Sequence, residues 1–309
     1  GCRCEGCRCE GSAASTVASM TNRWVLGARP RTLPAAVVPV AVGTAVAVGQ
    51  VPGGLMAWRA AAALVVAISL QIATNYVNDY ADGQRGTDDA RVGPVRLVAS
   101  GLATAGETKR AAAAAFAAAG FAGAGLAAAV GPELLVVGAL SIVAGWAYTG
   151  GPRPYGYLGM GEVFVFVFFG VVATVGSTYV QTGSVLGLSM LASVPVGLLA
   201  VALLVINNLR DIPGDTDAGK RTLAVRLGDS VTRRLYVVLF AVVAGGIVTS
   251  AVVRPLALLG LVGLAAAAGP IRHVVAGAEG AQLIPVLGAT GRSQLLTGLL
   301  FAAGLALSG

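Results

Sequence analysis

Charge is scarce in this chain. Asp, Glu, Lys and Arg together make up 11% of its 309 residues, where a soluble domain carries about 25%. With 56% hydrophobic residues and a mean hydropathy of +0.80, that scarcity excludes an ordinary soluble domain. Cysteine is missing after Cys9, so disulfides and thiol catalysis play no part in the body of the chain. The single histidine, His273, sits beside Arg272 in an expected loop and reads as bland. Alternation of period two is missing from the apolar runs, which argues against a β-barrel. A basic soluble module is missing too, so there is no nucleic-acid partner.

What is present is a series of apolar runs. A membrane helix needs ~20 predominantly apolar residues, and the runs at 33–50, 57–77, 111–130, 134–150, 162–181, 189–207, 235–253, 255–270 and 293–308 predict nine spans. The expected fold is all-α, a polytopic nine-helix transmembrane bundle. High Ala and Gly content suits close helix packing in lipid, although coding bias, visible as 19 Arg against 2 Lys, enriches both residues as well.

Basic residues favour the cytoplasmic side. With a cytoplasmic N-terminus, nine spans leave Arg59 and Arg254 alone on the far side of the membrane and gather the other basic residues from Arg23 onward on the near side. The expected location is the cell membrane, with the net charge of +7 reflecting orientation and an anionic ligand.

Residues 1–10 repeat Gly-Cys-Arg-Cys-Glu and hold all four cysteines. Close thiolates suit zinc or copper(I). The alternative, which we adopt as the expectation, is a non-native or disordered extension over 1–19, with the domain spanning 20–309. No apolar core of signal-peptide length precedes Met20.

Seven of the eight aspartates fall in two windows at the ends of apolar runs: Asp79, Asp82, Asp88 and Asp89, and Asp211, Asp215 and Asp217. Carboxylates at a membrane boundary are costly and usually functional. Asn75, Asn78, Asp79 and Asp82 are spaced i, i+3, i+4, i+7, which puts them on one helix face. Asn208, Asp211 and Asp215 follow i, i+3, i+7, although Pro213-Gly214 is expected to break the helix before Asp215. Mg2+ takes one or two carboxylates plus substrate phosphates, so two facing clusters could hold it around a diphosphate. Asp89 and Asp217 read equally well as solvated helix ends. Candidate cations for the diphosphate are Arg85, Arg91, Arg96, Arg210, Lys220 and Arg221.

The loop from Tyr148 to Glu162, with Gly150-Gly151-Pro152-Arg153-Pro154, has two readings. It is a wall of an acceptor pocket with Arg153 near an anionic group, or a helix hairpin with interfacial tyrosines. Arg29-Pro30-Arg31-Thr32 reads as a membrane-surface anchor, and Val163–Phe169 as either a tunnel lining or a lipid-facing stretch.

Asn78-Asp79-Tyr80-Ala81-Asp82 with Gly86-Thr87-Asp88 resembles the first aspartate-rich motif of the UbiA-type intramembrane prenyltransferases. Asn207-Asn208-Leu209-Arg210-Asp211 with Asp215 resembles the second. The stretch Gly219–Gly228, together with Gly93-Pro94-Val95-Arg96, is most similar to the 1,4-dihydroxy-2-naphthoate polyprenyltransferase branch. The resemblance covers residues 20–309.

The resemblance implies a bundle around a central cavity open laterally to lipid. It implies Mg2+-assisted ionisation of a polyprenyl diphosphate drawn from membrane lipid. The prenyl group would alkylate 1,4-dihydroxy-2-naphthoate with loss of its carboxylate. Another aromatic acceptor, such as 4-hydroxybenzoate or homogentisate, is the alternative. By position, Asp79, Asp82, Asp88, Asp211 and Asp215 would bind metal. Asn75, Asn78, Asn207 and Asn208 would orient them or the diphosphate, and Arg85, Lys220 and Arg221 would contact the diphosphate. Two other classes fit less well. A phosphatidyl-alcohol transferase keeps its acids in one compact stretch, and a divalent-cation transporter places its carboxylates near the bilayer centre.

Overall fold

A computed structural model describes residues 22–86, 93 and 95–309. The N-terminal repeat, Asp88, Asp89 and Arg91 lie outside the described residues. In lipid every backbone polar group must be satisfied within the chain, and the described residues meet this with helices and no strand.

The helices, in order, are α1 (Arg23–Ala28), α2 (Pro34–Val46), α3 (Ala57–Arg85), α4 (Ala105–Val130), α5 (Glu133–Ala147), α6 (Gly161–Thr182), α7 (Gly187–Asp217), α8 (Leu223–Leu227), α9 (Asp229–Ala251), α10 (Pro255–Val275) and α11 (Leu283–Leu307). Among the described residues six of these, α3, α4, α6, α7, α9 and α10, are long and apolar enough to cross a membrane. The other three expected spans fall on α2 and α5, which are shorter, and on α11, whose run of Thr290, Arg292, Ser293, Gln294 and Thr297 dilutes its apolar character.

α7 is the hub. Of its most apolar stretch 72% is buried, against 17% for the Ala-rich α4. Leu199, Val205 and Ile206 of α7 pack with Tyr236 and Val243 of α9 and with Phe301 of α11 in the largest core cluster. α6 crosses α7 at Gly170 and Gly197, where a Cβ on Gly170 would lie 2.5 Å from the Gly197 Cα. A π-helical stretch, Phe166–Val172, interrupts α6 at this crossing. Such stretches shift the faces of a helix and often mark functional sites.

Helix runs past the expected break at Pro213-Gly214 and past the expected end of the 255–270 span. α7 continues through Pro213 to Asp217, and carbonyls of its last turns find partners. The Thr216 hydroxyl donates to the Ile212 carbonyl at 2.7 Å, and Lys220 N–H donates to the Asp215 carbonyl at 2.8 Å. α10 likewise passes Gly269-Pro270 to Val275. Pro270 falls in the first turn of the segment Ala268–Val275, where the missing N–H costs little. His273 is therefore helical, exposed and bonded to the Gly269 carbonyl.

Candidate active site

The last two turns of α3 carry the first motif. Asn75, Asp79 and Asp82 are buried and Asn78 half-buried, as the helical spacing requires. Asp82 Oδ1 accepts from the Tyr157 hydroxyl, and Oδ2 lies 3.3 Å from Lys220 Nζ and 4.0 Å from Arg96 Nη2. Asn78 Oδ1 accepts from Thr149 Oγ1 at 2.6 Å.

Asp79 is 0% exposed and enclosed by donors. Its Oδ1 accepts from Arg29 Nη2 and from Arg96 Nη1, the latter at 2.7 Å, and its Oδ2 accepts from Leu97 N–H at 3.1 Å. This enclosure makes Asp79 the anchor of two guanidiniums and, among the described residues, leaves Asp82 as the first-motif carboxylate turned toward the second motif.

The end of α7 carries the second motif. Unbroken helix keeps Asp211 and Asp215 four residues apart on one face. Arg210 forks onto its neighbour Asp211, with Nε to Oδ1 at 2.7 Å and Nη2 to Oδ2 at 2.8 Å, and also donates to Asn207 Oδ1 at 2.9 Å. Gly93, downstream of the first motif, packs over this guanidinium, where a Cβ would come within 3.3 Å.

The two motifs meet at Lys220. This buried ammonium lies between Asp82 and Asp215, 3.9 Å from Asp215 Oδ1, and over the Tyr157 ring at 4.7 Å.

Below this cluster lies a cavity of about 660 Å³. Arg29, Asn75, Asn78, Arg96 and Asn207 line its polar end, and Val40, Leu126, Leu134 and Val180 its apolar end. Tyr155 stacks on Phe164 with ring centroids 3.9 Å apart, and Phe164 on Phe168 at 6.1 Å, forming an aromatic wall. The Tyr155 hydroxyl donates to the Ala144 carbonyl at 2.8 Å. Burial pushes the Tyr155 phenol up, so it is a neutral donor at physiological pH.

Several expected site residues stand elsewhere. Arg153 is exposed and does not line the cavity, because the Gly-Pro loop holds it on the outer surface. Arg221 is also exposed and outside the cavity wall; its backbone N–H ties the loop to the Tyr157 carbonyl at 3.0 Å. Arg85 donates to the Thr149 and Gly151 carbonyls, both at 2.7 Å, and so clamps the 149–151 loop. Asn208 turns away from the cavity and donates to Glu162 Oε1 at 3.0 Å. Asp88 lies outside the described residues.

Sequence reasoning missed Arg29, Gln71 and Tyr157. Arg29 reads as a surface anchor, yet its guanidinium reaches inward to Asp79 and lines the cavity. It is the one described non-glycine residue at positive φ (53°), a conformation costing roughly 1–2 kcal/mol. That turn at the end of α1 aims the side chain into the bundle.

Among the described residues no three His, Cys, Asp or Glu side chains stand close enough to hold a metal ion by themselves. The donor set nevertheless fits Mg2+ arriving with phosphate. It is all oxygen, split between two helices, and its carboxylates already attract a cation, Lys220, between them.

Residues 36–282 match the UbiA prenyltransferase family, and the chain belongs to it. It is thus a prenyltransferase-family protein with several membrane-spanning helices. It is 48% identical to a 1,4-dihydroxy-2-naphthoate octaprenyltransferase of Mycobacterium tuberculosis, over 92% of this chain and 97% of the relative. The Escherichia coli protein of the same name is 39% identical over 94% and 97%. Among solved structures, a UbiA homolog from Aeropyrum pernix K1 superposes with TM-score 0.68 at 17% identity, covering 89% of this chain and 97% of that one. A UbiA homolog from Archaeoglobus fulgidus bound to GPP and Mg2+ superposes with TM-score 0.64 at 15% identity, covering 93% and 99%. These two share the fold.

Proposed function

We propose that the chain transfers a polyprenyl group from polyprenyl diphosphate to 1,4-dihydroxy-2-naphthoate in the cell membrane, releasing diphosphate and CO2 and giving demethylmenaquinol, the reduced form of demethylmenaquinone. The observation that carries this reading is the convergence of both aspartate motifs on Lys220, beside a cavity that Asn78 and Asn207 of the same two motifs line. The naphthoate acceptor is supported by relatives of that name that match nearly end to end.

Asp82, Asp211 and Asp215 would hold Mg2+, which supplies charge neutralisation as the diphosphate leaves. Lys220 adds a fixed positive charge beside the same oxygens, and the Tyr157 hydroxyl holds Asp82 in place. Asn78 and Asn207, at the cavity rim, orient the diphosphate. The aromatic wall of Tyr155, Phe164 and Phe168 excludes water from the allylic cation. One C–C bond forms, while the C–O bond to diphosphate and the C–carboxyl bond break. The electron pair of the carboxyl bond stays with the ring, so the carboxylate acceptor needs no net proton removal. Both motifs would open to the cytoplasm, where a soluble aromatic acid meets a lipid diphosphate.

The test is purified protein in liposomes with prenyl diphosphate, Mg2+ and a panel of aromatic acceptors, read by product mass. The expected product is the decarboxylated prenyl-naphthalenediol. Transfer to 4-hydroxybenzoate or homogentisate alone would overturn the acceptor, and metal flux without diphosphate release would overturn the enzyme class.

A further inference from the structure

Arg29 has no role in the metal–diphosphate arrangement above, yet it lies in the cavity wall within a polar patch. Thr32, Gln71 and Asn75 complete that patch and also line the cavity. Gln71 Nε2 donates to Thr32 Oγ1 at 3.1 Å, and Asn75 Nδ2 donates to Thr32 Oγ1 at 3.2 Å and to the Ala28 carbonyl at 2.9 Å. Resting on the prenyl-transfer reading, we propose that this patch is the acceptor subsite and that Arg29 takes the carboxylate of the aromatic acid.

Three observations support the assignment. The first is depth. Asn75 and Gln71 precede Asp82 by seven and eleven residues on the same helix, which at 1.5 Å per residue sets them about 10 and about 16 Å further in. The patch therefore lies below the metal and diphosphate layer, where the first carbon of the donor and the acceptor ring must meet.

The second is availability. Arg29 engages Asp79 and the Asn75 carbonyl through Nη2. Its Nε and Nη1 have no protein partner among the described residues. A guanidinium anchored through Nη2 and open at Nη1 presents one charge-assisted donor to a carboxylate oxygen.

The third is composition. A trianionic diphosphate calls for several cations, whereas this patch offers one guanidinium with two amides and a hydroxyl. The amide N–H groups and the Thr32 hydroxyl bond within the patch, which leaves the Gln71 carbonyl oxygen as the acceptor for a ring hydroxyl beside the carboxylate on Arg29. Arg153, the cation expected there from sequence, is exposed outside the cavity.

The left-handed backbone of Arg29, the Asp79 carboxylate and the Asn75 carbonyl hold the guanidinium before substrate arrives, so binding loses little side-chain freedom. Carboxylate charge leaves as CO2, so the contact weakens along the reaction. Its loss must therefore appear in KM for the acceptor more than in kcat.

The experiment compares wild type, Arg29→Gln and Arg29→Lys in liposomes. It measures KM for donor and acceptor and the inhibition constant of 1,4-naphthalenediol, which lacks the carboxylate. Wild-type turnover, measured first, tests the prenyl-transfer reading by itself. For Arg29→Gln, the acceptor KM is expected to rise about 10- to 100-fold, the loss of one charge-assisted hydrogen bond. Donor KM and the diol's inhibition constant stay within about twofold. Arg29→Lys keeps the charge and recovers part of the loss. A rise in donor KM instead, or an equal penalty for the diol, would overturn the assignment. If Arg29→Gln fails to fold, Arg29→Lys and Gln71→Leu carry the test. Gln71→Leu should weaken both naphthalene ligands alike, since Gln71 is assigned to a ring hydroxyl, and an unchanged diol constant there overturns the patch.

Discussion

Lys220 Nζ stands 3.3 Å from Asp82 Oδ2, joining residues 138 positions apart and tying the end of α3 to the turn after α7. A buried ammonium between carboxylates is a counter-ion already in place where a diphosphate and its cations would assemble. Replacing Lys220 with Met should lower kcat/KM at least about 100-fold, equivalent to about 2.7 kcal/mol of transition-state stabilisation. Steady-state kinetics in liposomes, with a thermal melt as the folding control, measure this.

Asp82→Asn and Asp211→Asn should each abolish transfer in protein that remains folded in membranes. A metal ligand at a charge-neutralising site contributes several kcal/mol, and each ~1.4 kcal/mol is about tenfold in rate. Near-wild-type turnover in either variant would remove the two-motif mechanism.

Asp79 should behave differently, because its oxygens are enclosed by Arg29, Arg96 and the Leu97 amide. Leaving two guanidiniums without their shared partner in a buried site costs about 3–5 kcal/mol. Asp79→Asn should lower the melting temperature and raise KM for the acceptor, while the Mg2+ concentration for half-maximal activity stays near wild type. Asp82→Glu, which keeps a carboxylate on a longer side chain, should move that concentration upward.

The arginines outside the cavity separate clamp from contact. Arg85→Ala releases the Thr149 and Gly151 carbonyls and should speed proteolysis across 149–154 with a loss of activity below about tenfold, consistent with two hydrogen bonds at about 1 kcal/mol each and partial solvation of the loop. Arg153→Ala and Arg221→Ala, both exposed, should keep activity within about threefold, a change under 1 kcal/mol.

Where α6 crosses α7, a side chain has no room. Gly170→Val would drive a β-branched group into Gly197 Cα and the Ser193 carbonyl. Overpacking costs about 1–3 kcal/mol or more, so folded yield in detergent should drop sharply, read by size-exclusion chromatography.

Much of the fold and part of the site are legible in residue order. Continuous apolar runs without the period-two alternation of a closed barrel dictate helices in lipid, because a helix satisfies its backbone polar groups within one segment. The i, i+3, i+4, i+7 spacing by itself places Asn75, Asn78, Asp79 and Asp82 on one helix face. The local effect of Pro213 is less legible, since tertiary packing can carry a helix past a proline, as it does here to Asp217.

Helix content, the membrane setting and the positions of both aspartate motifs were therefore determined by sequence alone, because hydropathy and helical period are local properties. Which charged side chains face the cavity was decided only by tertiary structure. Arg29 and Arg153 look alike as arginines in proline-containing loops, yet one points to Asp79 and the other to solvent. A guanidinium is directed by the backbone turn that carries it and the carboxylate it finds, and both depend on contacts between residues far apart in the chain.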